Sequence, residues 1–196
     1  MKISESVKSF LKEQSSCINN LEETEEQIEM IVKILIKARN TNKKIFTMGN
    51  GGSGSTASHF VSDLLKTALL ESEKRFKAIS LVDNVPVLLA WSNDVNYEVV
   101  FEEQLKNFLS NNDIVIAFSG SGNSKNILNA LKFAKNNNAI CIGFTGRTGG
   151  EMRENCDICL KIPSEDMLTI ESQHVTICHC IIKAIRNLGK PIFKYE

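Results

Sequence analysis

His59 and Asp63 stand four residues apart, the first at the end of a glycine- and serine-rich stretch, "MGNGGSGSTASHF", that spans residues 48–60, the second just beyond it. On a helix, positions i and i+4 share a face, so the imidazole and the carboxylate would lie side by side. Such a pair can hold a divalent metal or run acid–base chemistry. Lys66 continues that flank, while Ala57, Phe60, Val61, Leu64, Leu65 and Ala68 form the core-facing stripe beside it. Late in the chain Glu171, His174 and His179 fall in another helical pattern. Residues eight apart rise about 12 Å along a helix, so Glu171 and His179 share one small site only if their side chains lean together. Glu171, His174 and Cys178 lie closer on the helical wheel and form an alternative metal set. His174 taken alone reads as a buried core or interface histidine.

Two loops could hold an anion. "GNGGSGS" and "SGSGNS" each follow an apolar run and lead into a helical pattern. Backbone N–H groups at a helix N-terminus, joined by serine hydroxyls, make a ready phosphate site. Gly49, Gly51 and Gly54 spell G-x-G-x-x-G, the dinucleotide spacing, which also needs an acidic residue about 20 positions further on. The candidate, Asp83, comes later than that. Neither loop ends in the G-K-[ST] of a P-loop. A nucleotide leaves one loop unexplained, whereas a small sugar phosphate uses both, one for the phosphate and one for the sugar.

These residues need a scaffold, and the chain supplies a recognisable one. From residue 44 onward, "KIFTM", "KAISLV", "DIVIAF", "AICIGF" and "DICLKI" recur as short apolar runs, mostly separated by helical patterns. That alternation predicts a parallel sheet covered by helices on both faces, with ligands collecting beyond the carboxyl ends of the strands. Three of the runs end in small polar loops, the third being "TGRTGG". Residues 1–43 read as helices, with Ile28, Ile31, Val32 and Leu35 in register, and residues 166–189 as one long amphipathic helix. The helical extension 1–43 is expected to join the domain 44–196 and to serve self-association.

Lys+Arg and Asp+Glu balance at 23 each, which removes any bulk electrostatic pull toward nucleic acid or anionic lipid. No apolar run approaches the roughly 20 residues that span a bilayer. The first residues lack the apolar segment of a signal peptide, so a cytoplasmic location is expected. Six cysteines are present. Cys156 and Cys159 have C-x-x-C spacing but sit in a strand-like run, and Cys178 and Cys180 point apart on a helix, so free thiols are expected.

The "GNGGS" loop with its following "HF" helix, the "SGSGNS" loop and the late histidine helix together resemble the phosphoheptose isomerases of the sugar isomerase (SIS) family. The resemblance covers nearly the whole chain. It implies a three-layer α/β/α fold with a five-stranded parallel sheet. It also implies interconversion of sedoheptulose 7-phosphate and D-glycero-D-manno-heptose 7-phosphate, feeding nucleotide-activated heptose for lipopolysaccharide, capsule or another glycan. Homotetramers with sites between subunits, and a zinc ion, come with it. By the same resemblance Ser119, Gly120, Ser121 and Ser124 bind phosphate. Asn50, Gly51, Gly52, Ser53, Asn93, Asp94 and Glu171 line the sugar. Asp63 and His179 are catalytic, and His59, Asp63, Glu171 and His179 hold the metal. Two positions depart from the family pattern: Asp63 stands where glutamate is usual, and Glu171 where glutamine is usual. The rival expectation is a non-catalytic relative that binds a sugar phosphate or tethers a replication initiator. Such a binder has no need of the His59, Asp63, Glu171 and His179 set.

Overall fold

The computed structural model describes residues 2–146 and 148–194. Arg147, in the "TGRTGG" loop, falls outside them. All five expected runs are strands: β1 (Lys44–Gly49), β2 (Lys77–Ser80), β3 (Ile114–Ser119), β4 (Ile140–Thr145) and β5 (Ile158–Lys161). They pair in parallel in the order β2-β1-β3-β4-β5. The chain runs from β1 outward to β2 and then returns to the other side of β1 as β3. A switch of direction therefore lies between β1 and β3, and loops at their carboxyl ends open a crevice there. Both glycine-serine loops sit at that switch.

Side chains alternate across the strands, as a doubly covered sheet requires. Ile45, Ile114, Ile116 and Phe118 face a layer made by α2 (Glu25–Asn40), α3 (Gly51–Ser62) and α8 (Met167–Arg186). Phe46, Met48, Val115 and Ala117 face the opposite layer of α5 (Glu102–Phe108) and α6 (Lys125–Asn136). The helix α1 (Ile3–Asn20) lies outside these layers against α8, while α4 (Val85–Asp94) and the short α7 (Met152–Asn155) complete the chain. The α2 side chains Ile31 and Leu35 are fully buried, so this part of the N-terminal extension belongs to the core. By contrast α1 leaves Ile3, Val7 and Leu11 exposed.

Two details depart from the expected elements, one helical and one in a strand. Helix α3 ends in a π-turn, Asp63–Thr67, closed by a 2.8 Å bond from the Ala68 amide to the Asp63 carbonyl. The widened turn breaks the expected stripe: Leu64 and Ala68 stay buried, but Leu65 is 44% exposed. Cys156 precedes β5 and only Cys159 lies within it. Desolvation pushes the Cys141 thiol up to about 12, and drives Cys156, Cys159 and Cys178 upward as well. Buried thiols held in the neutral form are poor nucleophiles and poor ligands.

Candidate active site

The first loop is shaped by close backbone approach. A Cβ on Gly49 would lie 2.4 Å from the Ser53 carbonyl oxygen, and one on Gly54 would lie 3.0 Å from the Gly49 oxygen. Those two glycines let α3 start directly on the end of β1, which explains the dinucleotide-like spacing without a dinucleotide. A Cβ on Gly52 would meet the Glu171 carboxylate at 2.2 Å. Glu171 thus brings its negative charge to the first turn of α3, where the helix dipole favours it. Asp83, the acid a nucleotide ribose would need, accepts a hydrogen bond from the Ser58 hydroxyl.

Glu171 leaves the N-terminus of α6 as the better anion site. Ser124 is the N-cap of α6, yet its hydroxyl makes no capping bond and lies 3.3 Å from the Ser119 hydroxyl. Ser119, Gly120, Ser121 and Ser124 line one small cleft with Asn50, Ser53 and Glu171. The expected phosphate residues are therefore brought together with part of the expected sugar-lining set. Gly51 lies in the neighbouring cleft with Asn50, Tyr97 and Phe101. Asn93 and Asp94 line neither cleft; they are exposed at the end of α4, hydrogen-bonded to one another at 2.8 Å.

Asn126, which motif reasoning missed, ties the two loops together. Its side-chain amide exchanges two hydrogen bonds with that of Asn50, at 2.9 and 3.0 Å, and Tyr97 Oη adds a 2.7 Å bond to Asn50 Oδ1. Asn126 is buried. A buried asparagine at a helix start carries no periodic signal, so only the folded chain shows its partner.

The remaining chemistry gathers beside the far end of this crevice. His59, Asp63 and His179 converge: His59 Nε2 lies 3.3 Å from His179 Nε2, and Asp63 Oδ2 lies 3.5 and 3.7 Å from the two nitrogens. Two bare imidazole nitrogens do not rest at that distance without a proton or a cation between them. Zinc held at the usual 2.0–2.1 Å by tetrahedral donors places those donors about 3.3 Å apart. The donor chemistry, two imidazoles and one carboxylate, and the three separations both fit such an ion. Glu171 does not join this group. The physical reason is the rise of α8, about 12 Å between Glu171 and His179, which separates the metal-type cluster from the Gly52 contact. The alternative set of Glu171, His174 and Cys178 is likewise not assembled.

His174 is a core residue. It packs against Phe118 and Phe144, with ring centroids 5.9 and 6.1 Å away, and its Nε2 lies 3.4 Å from the Thr145 carbonyl. Among the described residues its Nδ1 has no partner. Desolvation holds its pKa down at about 4, only partly opposed by the Thr145 contact. A depressed folded-state pKa means that the unfolded chain takes up the proton first, near pH 6.5. Its contribution is present above pH 6.5 and is lost as pH falls toward 4, by about 3 kcal/mol in all. Thermal melts across that window should therefore fall less steeply for His174→Leu than for the parent protein. Equal slopes would show that this imidazole is not the group being titrated.

The SIS domain family model matches residues 9–146. A phosphoheptose isomerase from Aliarcobacter butzleri is 38% identical over 182 residues, which is 92% of this chain and 95% of that one. One from Helicobacter pylori is 36% identical over 178 residues, covering 91% and 92% of the two chains. A phosphoheptose isomerase structure from Francisella tularensis superposes with a TM-score of 0.90 at 26% identity, covering 95% of this chain and all of that one. With the sheet order, the paired serine-glycine loops and the His-Asp-His cluster in place, the chain belongs to the phosphoheptose isomerase family of SIS-domain proteins.

Proposed function

We propose that this chain interconverts sedoheptulose 7-phosphate and D-glycero-D-manno-heptose 7-phosphate. The observation that carries this reading is the division of labour along α8: a serine cradle near its start and a His-Asp-His cluster about two turns beyond Glu171. A long acyclic sugar phosphate spans such a separation; a triose phosphate is too short. The Ser119, Ser121 and Ser124 hydroxyls and the α6 N-terminus would hold the phosphate. Asn50, fixed by Asn126, and Ser53 would orient the sugar hydroxyls. One of Asp63 and His179 removes the proton from the carbon beside the carbonyl, and the other returns a proton on the neighbouring carbon, through a cis-enediol. A zinc ion held by His59, Asp63 and His179 would supply Lewis acidity for the developing oxyanion.

The proposal extends to the assembly and setting. A homotetramer would cover the apolar row of Ile3, Val7 and Leu11 on α1 and allow Asn93 and Asp94 to reach sugar across a subunit boundary. We place the reaction in the cytoplasm, supplying nucleotide-activated heptose for lipopolysaccharide, capsule or another glycan. Among the described residues, no helix is long and apolar enough to cross a membrane.

The test is turnover by zinc-loaded protein on sedoheptulose 7-phosphate, with pentulose 5-phosphate and hexulose 6-phosphate alongside. The expected result is a kcat/KM for the seven-carbon ketose at least ~10-fold above either shorter one, a ratio worth about 1.4 kcal/mol of transition-state discrimination. Equal or better turnover of a shorter sugar would reassign the substrate. Binding without any turnover would favour the non-catalytic reading.

A further inference from the structure

The carboxylate of Asp63 uses its two oxygens differently. Oδ2 faces the two histidines, while Oδ1 accepts a 2.8 Å hydrogen bond from Thr67 Oγ1. A helical threonine ordinarily turns its hydroxyl back to the carbonyl four residues earlier. Here that carbonyl, on Asp63 itself, is taken by the Ala68 amide in the π-turn, and the threonine hydroxyl goes to the side chain instead. The turn is fixed from outside as well. Arg186, seven residues after His179 and so on nearly the same face of α8, donates to the Thr67 carbonyl and, at 2.7 Å, to the Phe193 carbonyl. Two rungs therefore join α8 to the π-turn: His179 with Asp63, and Arg186 with Thr67.

We propose that Thr67 is a positioning residue that holds the Asp63 carboxylate so that Oδ2 faces His59 and His179. An aspartate has one rotatable bond fewer than a glutamate and a shorter reach, so its aim depends on the backbone beneath it and on whatever grips its second oxygen. Partners of this kind, behind a reacting or ligating carboxylate, typically change metal affinity or activity by about 10–100-fold when removed. Thr67 acts through Asp63, whose Oδ1 its hydroxyl holds. The inference rests on Asp63 being part of the working site.

The experiment compares Thr67→Val, Thr67→Ala, Thr67→Ser and Asp63→Asn in the full chain. Valine keeps the branched shape without the hydroxyl, and alanine removes both, so one of them serves if the other folds poorly. Steady-state isomerisation of sedoheptulose 7-phosphate gives kcat and KM separately. Cobalt(II) titration of metal-free protein against a competing chelator gives an affinity that does not depend on turnover. For Thr67→Val and Thr67→Ala, we expect kcat down about 10-fold or more, KM within about 2-fold, and cobalt affinity weakened by about 10-fold. Thr67→Ser should restore both to within about 3-fold. Parent-like kcat and cobalt affinity in both hydroxyl-free variants, alongside an inactive Asp63→Asn, overturns the role of Thr67 alone. Serine failing to rescue also overturns it, because the hydroxyl would then not be the operative group. Full activity in Asp63→Asn overturns the site assignment and this inference with it.

Discussion

His179→Ala is expected to lower kcat by about 10³-fold while leaving KM for sedoheptulose 7-phosphate within a few-fold of the parent value. The split follows from where the groups stand. The imidazole belongs to the His59 and Asp63 cluster, whereas the serines of the proposed phosphate cradle line a separate cleft near the start of α8. Removing the ring takes away a proton-transfer group and one of three donors, both of which matter in the transition state more than in ground-state binding. Stability should change little, because the His179 side chain is 54% exposed and makes no core contact of the kind seen for His174. Asp63→Asn tests the same cluster without changing side-chain shape. It preserves an oxygen for the Thr67 hydroxyl but removes the charge that faces two imidazoles. A comparable loss of kcat is expected. Both variants folded and fully active would dismiss the cluster as the catalytic centre.

Much of this arrangement is legible in the residue order because it is local. The five apolar runs become the five strands since each is short, β-rich and closed by turn residues, and the two serine-glycine loops fall at the strand ends on either side of the switch point. The pairing of His59 with Asp63 needs only helical periodicity. What periodicity does not carry is any feature set by a partner distant in sequence. Glu171 departs from the expected metal set because its carboxylate sits at the α3 N-terminus beside Gly52, while His179 lies about 12 Å further along α8. Leu65 leaves the core stripe because a π-turn, held by Thr67 and Arg186, inserts a wider ring where an α-turn was expected. The Asn50–Asn126 amide pair joins positions 76 residues apart, and neither residue has a spacing that advertises the other.

Gly122→Ala is expected to be the most damaging single-methyl change near the proposed phosphate cradle, costing about 2–4 kcal/mol of stability and raising KM more than it lowers kcat. Gly122 sits at φ +66°, where an L side chain is strained, and its added Cβ would lie 2.2 Å from the Gly149 carbonyl oxygen. That neighbour is backbone, so no side chain can swing aside to admit the methyl. The same residue closes the turn through a 3.0 Å bond from its amide to the Ser119 carbonyl, and its own carbonyl accepts from the Met152 amide at 2.9 Å. Displacing it therefore moves Ser121 and Ser124 relative to Ser119 and loosens the segment leading into α7. Gly51 provides the control, since its φ is +54° but nothing lies within 4 Å of an added Cβ. Gly51→Ala should suffer only the backbone strain, about 1–2 kcal/mol. For a chain of this size each kcal/mol moves the melting temperature by about 2–4 °C, so the two variants separate in a thermal scan. Inorganic phosphate added to the scan sharpens the comparison: it should raise the melting temperature of Gly51→Ala and the parent, but much less that of Gly122→Ala. Equal melting temperatures and equal phosphate stabilisation in the two variants would mean that the turn at Gly122 does not shape the anion site, and the serine hydroxyls would have to be held by some other contact.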